Sequence, residues 1–154
     1  MAQDGSRVTT WIRGQVQSAH GFLEATMADV TAEMAHWGPP GLALPIGAAY
    51  AHSVTTEDWL VNVLFRGGAP LFAGPHAGKT GISELPPDPA SAKDWAGEFA
   101  GWSRRVRIDL TAFRAYAQSV YASTDAYLSN APDTELERPV DLSFVGMGMQ
   151  SVGF

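Results

Sequence analysis

The sequence predicts an all-α fold, a single helical bundle occupying residues 1–154. Two observations carry that prediction. Apolar residues recur at three- and four-residue intervals in several stretches separated by Gly/Pro-rich segments, and no alternating apolar/polar run is long enough for a half-buried strand. A length of 154 residues suits one core.

Each element follows from its own residues. A first helix is expected from about Arg7 to Asp29, where Val8, Trp11, Ile12, Val16, Ala19, Phe22, Leu23 and Met27 recur at helical spacing, with Gly14 and Gly21 as its weak points. Thr31 suits the cap of a short turn anchored by Met34 and Trp37, which Gly38-Pro39-Pro40-Gly41 ends. Pro45 fits the opening of a second helix, because its missing N–H is not needed there, and that helix is predicted to reach about Phe65. One stripe of it carries Ile46, Ala49, Tyr50, Ser53, Leu60 and Leu64. The neighbouring stripe carries His52, Thr56, Trp59 and Val63, which turns His52 inward or nearly so.

Gly67-Gly68-Ala69-Pro70 ends this helix, and Gly67 to Pro89 reads as a long surface loop of the sort that serves as a lid or a plain connection. Ser91 with Asp94 three residues on has the spacing of a capping box, so a third helix is expected from there with Trp95, Phe99 and Trp102 inward. The run breaks between Arg104 and Ile108. Asp109 can cap a long helix whose seam is Leu110, Phe113, Ala117, Val120, Thr124, Tyr127 and Leu128, ending near Asn130-Ala131-Pro132. Asp133 to Phe154 reads as loop, with apolar character returning only at Val152 and Phe154.

Composition narrows the function. Hydrophobic residues make up 45% and charged residues 17%, so the chain is expected to fold. No apolar run approaches the roughly 20 residues of a membrane span, and Met1-Ala2-Gln3-Asp4-Gly5 lacks the features of a signal peptide, so the expected location is the cytoplasm with no membrane partner. The formal charge is −6 and the only dense basic cluster is Arg104, Arg105 and Arg107, which argues against nucleic acid. There is no cysteine. Disulfides, thiolate metal sites and a cysteine nucleophile are therefore excluded, and a metal would need His, Asp or Glu.

Four histidines are available: His20, His36, His52 and His76. His20 and Glu24 lie four apart on one helix face, a spacing shared by metal ligands and by ordinary polar pairs. His36 sits at a helix end and His76 in the Gly/Pro loop. His52, in Ala51-His52-Ser53-Val54-Thr55-Thr56-Glu57-Asp58-Trp59-Leu60, is either a satisfied core residue or a ligand whose partners come from a distant segment. Glu57 and Asp58 read as a solvated face, or else as groups that orient an imidazole. No P-loop, dinucleotide fingerprint or nucleophile elbow is present.

The order of segments resembles the DinB-like superfamily. The likeness rests on Asp29-Val30-Thr31-Ala32-Glu33-Met34 leading to Trp37-Gly38-Pro39-Pro40-Gly41, on Pro45-Ile46-Gly47-Ala48 and the helix bearing His52 with Glu57-Asp58, and on Ala115 to Tyr121 continuing to Leu136-Glu137-Arg138-Pro139-Val140. The resemblance implies an up-and-down four-helix bundle, often a homodimer, holding a divalent metal (Zn, Ni or Mn) with one histidine of the second helix and two further ligands of the last helix. His52 matches the second-helix position. Characterised members are thiol-dependent S-transferases and isomerases that use mycothiol, bacillithiol or glutathione on a small-molecule substrate. The implied last helix would open near Val152, and no histidine follows His76, so the chain reads as a member lacking most of its fourth helix and, with it, a complete metal site. The alternative is a non-catalytic binding or dimerisation module with a vestigial site.

Overall fold

Helix caps and apolar spacing place the elements close to where the sequence puts them. The computed structural model describes residues 7–41, 43–143 and 149–152. Helix α1 spans Arg7–Met27 and α2 spans Ala32–His36, the latter capped by the Thr31 hydroxyl accepting from the Met34 N–H. Helix α3 spans Ile46–Asp58 and continues as a π-helix over Trp59–Phe65, where the Arg66 N–H reaches back to the Val61 carbonyl at 3.1 Å. Helix α4 covers Trp95–Arg105 and α5 covers Leu110–Asn130. The fold is all-α with four principal α-helices among the described residues, α1, α3, α4 and α5, consistent with an up-and-down bundle.

Contacts give the helix directions. Arg13 meets Asp125 and Arg114 reaches the Met27 carbonyl, so α1 and α5 are antiparallel. Asp58 meets Tyr116 and the following Asn62 meets Ser123, so α3 and α5 run the same way. The segment that holds α4 is the return between them. Their shared core is Ala48, Ala51 and Val54 of α3 against Phe113, Tyr116, Ala117 and Val120 of α5, closed by Met27, Phe99 and Trp102.

Several expectations are corrected. Met34 and Trp37 do not anchor α2; both are exposed, and the small Ala35 is the buried residue because α2 lies close against Gly47 of α3. On α3 the buried face is Gly47, Ala48, Tyr50, Ala51, Val54, Thr55 and Asp58, so Ile46 and Ser53 of the expected stripe face outward. Helix α4 starts one turn later than Ser91: Asp94 caps it by accepting from the Gly97 N–H at 3.1 Å, while the Ser91 hydroxyl turns back to Asp88. The segment after Asn130 is not plain loop. A 3-10 turn over Asp133–Glu137 leads into Pro139–Asp141, which pairs antiparallel with Met149–Ser151; strands of three residues are too short to show alternation in sequence. The Val152 N–H closes this hairpin on the Arg138 carbonyl at 3.0 Å, and Gly153 and Phe154 lie outside the described residues.

The long loop is fastened rather than free. Leu71 and Phe72 pack on the core, Ile82 bridges to Ile108, and the Trp102 indole N–H donates to the Glu84 carbonyl at 3.1 Å. Among the described residues no helix is long and apolar enough to cross a membrane.

Candidate functional site

His52 projects from the outer side of α3 toward α4. Its ring packs edge-on against Phe99 at 4.7 Å between centroids and lies 6.4 Å from Trp95. Nδ1 is 3.3 Å from the Thr56 hydroxyl one turn on. Among the described residues Nε2 has no hydrogen-bond partner, and no buried side-chain nitrogen or oxygen is left unpaired, so Nε2 must reach solvent. Burial lowers the imidazole pKa below its ordinary value and so favours the neutral ring, in which one nitrogen carries the proton and the other a lone pair. Such a ring can act as a ligand in the tautomer where Nδ1–H donates to Thr56, which leaves the lone pair on Nε2.

The rest of a metal site is not assembled here. Among the described residues no group of three His, Cys, Asp or Glu side chains converges, and the surroundings of His52 are two aromatic rings and a hydroxyl. The described residues therefore supply one donor and do not by themselves fit a divalent metal, which wants three or four.

Glu57 and Asp58 are not a solvated face. Asp58 is fully buried, and its carboxylate accepts from the Asn62 amide at 2.8 Å, the Leu71 N–H at 2.9 Å, the Phe72 N–H at 3.1 Å and the Tyr116 hydroxyl at 2.7 Å. It fastens the long loop to the bundle. Burial, then the bond to Asp58, pushes the Tyr116 hydroxyl well above the usual phenol range and keeps it a donor.

Glu57 instead faces α1 and α5. It takes Nε2 of His20 at 2.9 and 3.0 Å and the Thr124 hydroxyl at 2.5 Å, and the His20 ring stacks on Tyr121 at 3.9 Å. One turn along α1, Glu24 accepts both the Tyr50 hydroxyl at 2.6 Å and the Tyr121 hydroxyl at 2.8 Å. Burial and then the Glu24 bond raise both phenols far above their ordinary range. The sequence showed the four-residue spacing of His20 and Glu24 but not Glu57, Tyr50 or Tyr121, which join them across 26 to 97 residues of chain. No local pattern encodes such a meeting.

The remaining two histidines make contacts elsewhere. His36 donates from Nδ1 to the Ala32 carbonyl at 2.6 Å and accepts the Ile108 N–H at Nε2, 3.0 Å, tying α2 to the start of α5. His76 packs on Tyr116 at 5.5 Å. In the basic cluster, Arg104 donates to the carbonyls of Pro39, Gly41 and Ala43, and Arg105 pairs with Glu84 at 2.9 Å.

Comparison with known proteins adds the fold. No family model matches the chain, and no curated protein sequence matches it. A solved structure described as the crystal structure of the conserved protein of locus from Enterococcus faecalis is similar, with a TM-score of 0.68 and 22% identity over 89% of this chain and 78% of that one. At that identity the likeness establishes the shared fold.

Proposed function

We propose that the chain is a DinB-like bundle whose His52 is one ligand of a divalent-metal site, and that its activity is metal-dependent transfer of a low-molecular-weight thiol. The observation that carries this reading is the setting of His52, half-buried so that the neutral ring is favoured, with Nδ1 3.3 Å from the Thr56 hydroxyl and no partner at Nε2 among the described residues, at the position matched by the resemblance. Among the described residues no second or third ligand stands beside it. The chain has no cysteine, so the thiol has to arrive as a cosubstrate. A homodimer in the cytoplasm belongs to the same reading, with Trp11 and Phe22 of α1, 65% and 79% exposed, as the apolar surface available to a partner.

The test is transfer of mycothiol, bacillithiol or glutathione to electrophilic acceptors by the protein expressed from its native gene, loaded with Zn, Ni or Mn, beside His52→Ala. Turnover lost in His52→Ala supports the reading. Turnover that survives the substitution, or none with any combination, removes it.

A second reading has its own observation. The aromatic surroundings of His52, with no carboxylate or second imidazole, favour a helical binding module that keeps a vestigial site. It is separated from the first by the same assay.

A further inference from the structure

The open groove between α1 and α5 holds the His20–Glu24 cluster at its floor and offers a volume of about 400 Å³, within the range of small-molecule sites. It is distinct from the His52 surroundings, because Trp95 and Phe99 of α4 take no part in its lining.

Hydrogen-bond accounting defines what the groove can take. The donors at the floor are committed to acidic partners: the Tyr50 and Tyr121 hydroxyls to Glu24, and His20 Nε2 to Glu57. At the far end, Arg13 gives Nε and Nη2 to Asp125 at 2.6 and 2.7 Å, and Gln17 gives its amide to the same carboxylate. The acceptors are not used up. Among the described residues, Glu24 Oε2 and His20 Nδ1 have no partner, and since no buried side-chain polar atom is unpaired, both are open to solvent. The unused N–H groups of Arg13 and Gln17 lie at the far end and the Gln118 amide can donate or accept, so what distinguishes the Glu24 end is a free carboxylate oxygen, which a donor-rich cation meets together with Nδ1 of a neutral His20 ring.

The groove is also graded along its length. Because α1 and α5 are antiparallel, Glu24 and His20 lie toward one end, and Val16 and Leu128 lie toward the end closed by Arg13 and Asp125. Gly21 sits on the wall beside His20, in mid-helix, with no heavy atom within 4 Å of where a Cβ would stand. No packing contact explains that glycine, which weakens the helix relative to alanine, but a side chain there would narrow the groove.

We propose that this groove binds a small protonated amine carrying an apolar group, the ammonium on Glu24 and His20 and the apolar group against Val16 and Leu128. Binding is tested by calorimetric titration of the 154-residue protein with benzylamine, using benzoate and benzyl alcohol as probes of matched shape. Benzylamine is expected to bind saturably at about millimolar concentration, as its size allows. Glu24→Gln should weaken it about tenfold or more by removing the charge. Gly21→Leu leaves every hydrogen bond of the floor in place, keeps the helix at least as stable, and should abolish binding by filling the groove. Saturable binding of benzoate or benzyl alcohol as strong as that of benzylamine, undiminished binding by folded Gly21→Leu, or no saturable binding of benzylamine each overturns the proposal. The outcome is independent of His52 and of thiol transfer.

Discussion

At the scale of single residues, the two acidic neighbours Glu57 and Asp58 show how one step along a helix separates two tasks. Asp58 points into the core and satisfies two backbone N–H groups, an amide and a phenol. Asp58→Ala would strand all four, and with about 1–3 kcal/mol for a buried group left unpaired, a loss of about 3 kcal/mol or more is expected in urea unfolding. Asp58→Asn is expected to be destabilising too, since its NH2 would face N–H donors. His52 carries a pH signature. Burial sets its folded pKa below the unfolded value near 6.5, so the unfolded chain binds the proton more readily. The stability tied to the neutral ring is full at about pH 8 and declines as pH falls through about 6.5 toward the lower folded value. His52→Gln removes this dependence, so the stability of the parent relative to the variant should shrink on acidification from about pH 8 to about pH 5. A constant difference would show that burial does not perturb the ring.

At the scale of elements, capping and close approach decide more than propensity. Gly47 of α3 is required by α2: a Cβ there would stand 2.7 Å from the Ala35 carbonyl oxygen and 3.0 Å from Ile108 Cδ1. Gly14 of α1 has open space around it. Gly47→Ala is therefore expected to lose about 1–3 kcal/mol by forcing α2 and α3 apart, while Gly14→Ala should gain up to about 1 kcal/mol from helix propensity. Thermal unfolding of the pair checks both signs. Such contrasts explain what was legible beforehand. Helix α5 could be read to its ends because Asp109 caps it, accepting from the Thr111 and Ala112 N–H groups, and because its seam is periodic. The buried face of α3 could not. It is built from Gly47, Ala48 and Ala51, whose small side chains carry little periodic signal, and from Thr55 and Asp58, which a hydropathy pattern assigns to solvent.

At the scale of the whole molecule, the all-α bundle was visible in sequence and is the fold shared with the Enterococcus faecalis structure, whereas the polar network at its centre was not. His20, Glu57 and Thr124 come from three helices and meet only once the bundle forms. His52 was identifiable as a residue of interest, but which ring nitrogen is held and which is open depends on Thr56, Phe99 and Trp95 around it. A bundle that exposes Trp11 and Phe22 on one stripe of α1 should associate through that stripe if it forms the proposed homodimer. Sedimentation of Trp11→Ser/Phe22→Ser is then expected to show a monomer of unchanged thermal stability at concentrations where the parent is dimeric; a parent already monomeric would remove this part of the reading. The proposed role of His52 as a metal-ligating imidazole is tested most directly by the imidazole 15N shifts of all four histidines during zinc titration. Nε2 of His52 is expected to shift first, with weak affinity as befits a single protein ligand, and the shift to vanish in His52→Ala. A tight site reported by His20, or a His52 ring that zinc leaves untouched, would contradict it.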